Sequence, residues 1–278
     1  MISLKRNSKG EPVNAPGIRK RSSSMYKPHQ TEMFKISRSK FSDFLNCQRC
    51  FYLDRVKGLI SPSTPGWTLN ETTDLLLKKE FDACREEQTP HRLFSKFDLN
   101  HVVPYAHQDL ELWRDSMRHG LEHQVKGTNI ILHGGIDDVW LDTRNEEIIV
   151  VDYKSQANNR PVTPQLYLAG TYHQSYKIQL DIYAYLFQGM GFNVSPTSYF
   201  YVVNAIRNAD GFHAKMEFQE TLVPYEWSSD WIEPEVQSMI SVLNSEMIPP
   251  PTDACENCAY ANQRTLAEVI ETPIPSNS

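Results

Sequence analysis

Residues 129–154 constrain the fold more than any other stretch of this chain. Asn129–Leu141 and Glu147–Lys154 are rich in β-branched and apolar residues, and Asp142-Thr-Arg-Asn-Glu146 between them has turn composition. A loop made of Arg144-Asn145 sets Thr143 opposite Glu146, so partners across the hairpin have numbers summing to 289, a condition Asp137 and Asp152 meet. Opposed residues of an antiparallel pair share one sheet face, with Cβ atoms about 4.5–5.5 Å apart. Lys154, two residues beyond Asp152, falls on the same face. The run Ile148-Ile-Val-Val151 is apolar on both faces, as in a central strand covered on both sides. Two acids ending such a strand repel unless something positive lies between them, and Mg2+ or Mn2+, hard cations that bind oxygen, suit the place. A slip of one residue would turn Asp137 away and bring Asp138 in.

The rest of the chain builds around this hairpin. Ser37 or Ser39 can cap a helix carrying Phe41, Phe44, Leu45, Phe51 and Tyr52, which Gly58 and the Ser-Pro-Ser-Thr-Pro-Gly run at 61–66 end. Helices are expected at about 69–85 and 108–126. After the hairpin comes a long helix over about 175–188, stopped by Gly189 and Gly191. On it Gln179 and Tyr183 lie four apart, on one face, where they could reach the carboxylates or a phosphate. Strands over 198–204 and 212–219 and a helix over 229–245 complete the order. Helices, hairpin, helix, hairpin, helix makes an α/β domain with a central mixed sheet flanked by helices. Residues 1–34 mix Ser, Pro, Gly, Asn and Lys without apolar periodicity and read as a disordered arm, followed by one domain over 35–264 and a flexible tail over 265–278.

Charge divides unevenly along the 278 residues. The overall net charge of −6 hides ten Lys/Arg against two acids in residues 1–40, and a body of 18 basic and 32 acidic residues. A basic arm on an acidic body suits local contacts with a polyanion and argues against indiscriminate coating of nucleic acid. With 40% hydrophobic and 22% charged residues the chain is globular, and no stretch approaches a membrane span or a secretory leader, which reads as a soluble, cytoplasmic protein.

Five cysteines in a chain this long are not a disulfide scaffold. Four of them form two CxxC pairs, Cys47-Gln-Arg-Cys50 and Cys255-Glu-Asn-Cys258, while Cys84 reads as helix core. The four could hold one tetrathiolate, for which Zn2+ and a 4Fe–4S cluster are both suitable. His119 and His123, four apart, lack the HExxH order of a zinc protease and read as a hydrated helix face. Trp227 and Trp231, also four apart, could stack bases but on a helix read rather as core.

Gly134-Gly-Ile-Asp137, Val151-Asp152-Tyr-Lys154 and Gln179-Leu-Asp-Ile-Tyr183 resemble the successive motifs of PD-(D/E)xK nucleases of the RecB type. Ser39–Leu53, with Cys47 and Cys50, resembles the amino-terminal helix of that group's iron–sulfur members, which include the CRISPR-adaptation and AddB-type nucleases. Cys255-x-x-Cys258-Ala-Tyr260 resembles their carboxy-terminal cysteine segment. The likeness runs in order over about 37–264.

It implies a restriction-endonuclease-like core and metal-dependent hydrolysis of DNA phosphodiesters, on single or double strands. Asp137, Asp152 and the backbone carbonyl of Tyr153 would hold Mg2+ or Mn2+, Lys154 would orient water or offset phosphorane charge, and Gln179 and Tyr183 would position the site. A protein partner in a repair, recombination or defence complex would fit, and so would a non-catalytic DNA-binding or scaffold subunit that keeps the fold. The chain departs from the group twice. Where a metal-binding His is usual, Asp74 stands, either as a ligand or as a solvated helix residue. The third carboxy-terminal cysteine is missing, with Arg264 near its place, so Cys50 would have to supply the fourth thiolate.

Overall fold

The structure, a computed structural model, describes residues 3–271. Its strands are β1 Phe34–Ser37, β2 Val102–Pro104, β3 Leu121–Gln124, β4 Ile130–Gly134, β5 Asp138–Asp142, β6 Glu147–Gln156, β7 Thr197–Ala205 and β8 Phe218–Glu226. Its helices are α1 Arg38–Asn46, α2 Gln48–Arg55, α3 Thr68–Glu87, α4 Leu110–Arg114, α5 Pro164–Ala169, α6 Gln174–Gly189, α7 Ile232–Leu243 and α8 Glu256–Glu271. Contacts divide the chain into two units: residues 35–38 with 66–234, and residues 1–34 with 39–65 and 235–278.

The first unit holds a five-stranded sheet in the order β2-β5-β6-β7-β8 and a three-stranded sheet in the order β1-β4-β3. The class is α/β, with a mixed central sheet: β6 and β7 run parallel and the remaining pairs of the five-stranded sheet antiparallel. Parallel strands need a crossover, and α5 and α6 supply it. In β6 the residues Ile148–Tyr153 are all buried, as expected of a strand covered on both faces. Ile149, Val151 and Tyr153 point into a core with Leu77 and Phe81 of α3, Trp140, and Tyr201 and Val203 of β7. Phe81 stacks on Trp140 with centroids 5.3 Å apart, and Phe94 meets the same indole edge-on at 4.6 Å. Strand alternation sends Asp152 and Lys154 to the other face, toward α6.

The hairpin keeps the expected register. Asp138 pairs with Val151 and Asp142 with Glu147. The loop is longer than two residues, however: pairing ends at Asp142 and Glu147, and Glu146 turns the chain at φ 56° while its N–H donates to the Asp142 carbonyl at 2.9 Å.

Two expected elements take another form. The single strand over 129–141 breaks at Gly135-Ile136-Asp137, so β4 and β5 belong to different sheets. The helix over 108–126 shrinks to α4 and gives way to β3. At Gly120 the backbone has φ 94° and an added Cβ would lie 2.7 Å from the Gly134 carbonyl oxygen, so only glycine lets β3 approach β4 there. His119 therefore sits in a turn, 3.0 Å from Asp115, and His123 on a strand; they share no helix face. The later hairpin also shifts, its second strand beginning at Phe218 and not 212.

In the second unit, residues expected to be disordered pack on ordered ones. Ile18 bridges Leu59, the Arg19 N–H donates to the Gly58 carbonyl at 2.8 Å, and Tyr26 is buried against Phe34. Arg19, Lys40 and Arg55 all pair with Asp54, so part of the basic charge of the arm is spent internally. The expected helix over 39–53 breaks at Cys47, which is extended and opens α2. Residues 265–271, expected as flexible tail, continue α8; the rest of that tail, 272–278, and residues 1–2 lie outside the described residues. Among the described residues no helix is long and apolar enough to cross a membrane.

Candidate active site

At the amino end of β5, beside the carboxyl half of β6, consecutive aspartates go opposite ways. Asp138, at 0% exposure, enters the core beside Arg85; Arg114 Nη2 lies 3.1 Å from its Oδ1, and the Tyr153 hydroxyl donates to its Oδ2 at 2.6 Å. Asp137 points to the other face, where its Oδ2 accepts the Tyr153 backbone N–H at 2.9 Å. A buried acid with two guanidinium partners is costly to move, and that fixes which of the two neighbours faces the site. The one-residue slip that would have promoted Asp138 does not occur.

Asp152 is fully buried. Its Oδ1 accepts from Gln179 Nε2 at 2.7 Å, and the same amide nitrogen lies 3.2 Å from the Tyr183 hydroxyl. Its Oδ2 lies against the Lys154 ammonium and receives no well-directed hydrogen bond. Burial pushes the Asp152 carboxyl up, Lys154 pulls it down and the neighbouring Asp137 pushes it up again, leaving it at about 7. Burial would lower the Lys154 ammonium, but Asp152 and Asp137 outweigh it and raise it, so the lysine stays charged. It also lies 4.8 Å over the Tyr176 ring and 3.4 Å from the Tyr153 carbonyl.

On α3, Asp74 is drawn into the same neighbourhood. Burial and the charge of Asp137 raise its carboxyl, and Lys78, one turn on, pairs with it at 2.8 Å and reaches to 3.9 Å from Asp137. Asp74, Asp137, Asp152, Lys154, Gln179 and Tyr183 are thus brought together, and Tyr153 joins them through its backbone. The donor set of carboxylates and a carbonyl suits a hard divalent ion, and the buried Asp152 Oδ2, which lies against the Lys154 ammonium but receives no well-directed hydrogen bond, has acceptor capacity left for one.

Lys78 was not anticipated, although its spacing of four from Asp74 is a legible helical pair. The Arg85–Asp138–Arg114 group was not anticipated either, and nothing local marks it. Beyond Lys154, Gln156 borders two cavities of about 270 Å3 each. Trp67, Asn70, Thr73 and Phe218 line the first; Arg160, Leu166, Tyr172 and His173 line the second. Trp227 and Trp231 do not share a helix: their ring nitrogens bond the Ser195 carbonyl at 2.7 Å and Asp181 at 2.9 Å.

In the second unit the sulfurs of Cys47, Cys50, Cys255 and Cys258 lie within 4.8 Å of one another. Burial raises the Cys47 thiol, but hydrogen bonds from the backbone at Thr252 and Cys50 and from its neighbouring thiols bring it to about 6. Burial and the adjoining sulfurs push Cys50 up, and Cys258 to about 11. Four sulfurs crowded this closely are a donor set that a single cation could hold.

No curated protein matches this chain. Among solved structures, the chain is similar to a Eubacterium rectale protein named provisionally as an exonuclease, at 10% identity and a TM-score of 0.38 over 86% of this chain and 88% of that one. The family model for the PD-(D/E)XK nuclease superfamily matches residues 35–263, a span that takes in every carboxylate, lysine and cysteine described above. With Asp137 immediately before β5, and Asp152 and Lys154 on β6 of a mixed five-stranded sheet, this chain belongs to the PD-(D/E)XK nuclease superfamily and has its restriction-endonuclease-like core.

Proposed function

We propose that this chain is a metal-dependent deoxyribonuclease that hydrolyses phosphodiester bonds at Asp137, Asp152 and Lys154. The observation that carries the reading is the meeting of two carboxylates and an ammonium beside the Gln179 amide, on a buried sheet face. Asp137, Asp152 and the Tyr153 carbonyl would hold Mg2+ or Mn2+, with Asp74 as a further oxygen donor. When bound, such an ion lowers the pKa of water and offsets charge building on phosphorus.

The chain's own residues do the rest. Gln179 holds the Asp152 carboxylate in one orientation. The Tyr153 N–H does the same for Asp137. Lys154 would donate to a phosphate oxygen or to the attacking water, and its raised proton affinity keeps it a donor at neutral pH. Exposed Trp67, at 75%, and Tyr172, at 88%, border the two cavities next to the site and offer faces on which bases can stack. The order of the motifs favours the RecB-type group and, with it, a role in DNA repair, recombination or defence.

The test is cleavage of single- and double-stranded DNA with Mg2+ or Mn2+ by the wild type, Asp152→Ala and Lys154→Ala. Cleavage that needs the metal and disappears in both variants supports the enzyme. Metal-independent binding without cleavage supports a non-catalytic DNA-binding subunit instead.

A further inference from the structure

The four cysteines suit either Zn2+ or the 4Fe–4S cluster of the iron–sulfur nucleases that the sequence resembles, and their geometry disagrees with the cluster. Cys50 Sγ lies 3.4 Å from Cys258 Sγ and 3.6 Å from Cys255 Sγ, and Cys47 Sγ lies 3.8 Å from Cys258 Sγ. All four fall within 4.8 Å of one another. A single ion with metal–sulfur bonds of about 2.3 Å at the centre of a tetrahedron places its thiolates about 3.8 Å apart. A cuboidal cluster gives each thiolate an iron of its own at a separate corner and spreads them to roughly 6 Å. Four sulfurs this close enclose one metal ion and leave no room for four irons with their sulfides.

The backbone arrangement points the same way. Each CxxC pair opens a helix: Cys47 precedes α2, and Cys255 precedes α8. Two helix amino termini thus converge on the sulfurs, where their unsatisfied N–H groups and dipoles favour thiolate. Thr252 Oγ1 donates to the Asn46 carbonyl at 3.1 Å, tying the two cysteine segments together beside the site. The ligands divide two and two between those segments, where the resembling group divides one and three. Arg264, near the place of the missing cysteine, is exposed and pairs with Glu268 at 3.2 Å, so it takes no part.

We propose that Cys47, Cys50, Cys255 and Cys258 hold one tetrahedral divalent ion of the zinc class, and not an iron–sulfur cluster. As the ion binds, the thiols that are still protonated give their protons to solvent, and the tetrathiolate fastens α2 to α8. This inference does not depend on the proposed cleavage activity, because it is read from metal content and colour.

The experiment expresses the full chain with iron and zinc both supplied, purifies it without oxygen, and measures metals, acid-labile sulfide and the visible spectrum. Colourless protein is expected, with about one zinc per chain released when a mercurial titrates the thiols of the wild type. Cys84→Ser should retain that zinc and Cys255→Ser should lose it. Cobalt in its place should give the visible bands of a tetrahedral thiolate site. Brown protein absorbing near ~400 nm, with about four irons and four sulfides per chain, would overturn the proposal, and so would wild-type protein that releases no metal to the mercurial. If Cys255→Ser fails to fold, release from the wild type still decides.

Discussion

The Tyr153 N–H donates to the Asp137 carboxylate at 2.9 Å, in the position where a continuing β5 would have offered a backbone carbonyl. The strand leaves at Ile136, whose N–H goes instead to the Trp113 carbonyl. Asp137 therefore closes the open edge of β6 and faces the site in a single act of geometry. Asp137→Asn keeps an oxygen acceptor for that bond, so stability should change by less than about 1 kcal/mol. Cleavage should still drop by about a hundredfold or more, because the neutral amide is a poor partner for a hard cation. Urea unfolding and a cleavage assay on one preparation check both halves.

Its neighbour should behave in reverse. Asp138→Ala strands Arg85 and Arg114 in the core and leaves the Tyr153 hydroxyl without its acceptor. Asp82 still meets both guanidiniums, which places the loss near the lower end for a broken buried pair, about 3 kcal/mol. A melting curve would show it before any activity measurement.

Asp152 makes the metal-free protein sensitive to pH. In the unfolded chain its carboxyl titrates near its ordinary value, about 4; in the fold it is pushed up to about 7, chiefly by burial. The folded state then binds the proton more tightly, so this group's contribution is full below about pH 4 and is lost as pH rises through 7. The difference in melting temperature between Asp152→Asn and wild type should therefore grow from pH 5 to pH 8 in the variant's favour. Mn2+, which competes with that proton, should stabilise the wild type more at pH 8 than at pH 6. Parallel pH profiles for the two proteins would contradict the account.

Gln179→Leu fills a similar volume on a buried helix but removes the donor to Asp152. Loss of a residue that orients a metal ligand costs about 10–100-fold in affinity or activity, and that loss is expected here, recovered in part by raising Mn2+. Circular dichroism should show the helix intact.

Gly134 leaves space that Tyr183 occupies: an added Cβ would stand 2.8 Å from Tyr183 Cε1 and 3.3 Å from Arg38 Cβ. Gly134→Ala should cost about 1–3 kcal/mol by overpacking. Pairing it with Tyr183→Leu should recover part of that loss, which a double-mutant cycle measures.

The hairpin was legible because its information is local. A turn-forming segment and a run apolar on both faces fix which residues pair, and the 289 register emerged with Asp138 opposite Val151 even though the loop is four residues long. Gln179 and Tyr183 were legible for the same reason, since helical spacing alone puts them together. The two sheets were not. Asn129–Leu141 has uninterrupted β character, and only the bond from the Ile136 N–H to the Trp113 carbonyl shows the chain leaving one sheet for another. Likewise no periodicity announces that Gly120 must press against Gly134. Lys78 lay in plain view as a helical partner of Asp74, but its reach toward Asp137 depends on how α3 crosses the sheet. Tyr26 carries too little local pattern to show that it buries itself.

Asp181, next to the site on α6, takes hydrogen bonds from Trp231 at 2.9 Å, Tyr225 at 3.0 Å and the Ser228 N–H at 3.1 Å, while Gln179 grips Asp152 from a different side of the same helix. A cylinder held at two azimuths cannot roll. The helix that carries Gln179 and Tyr183 is thereby fixed about its own axis, and with it the direction from which the Gln179 amide meets Asp152.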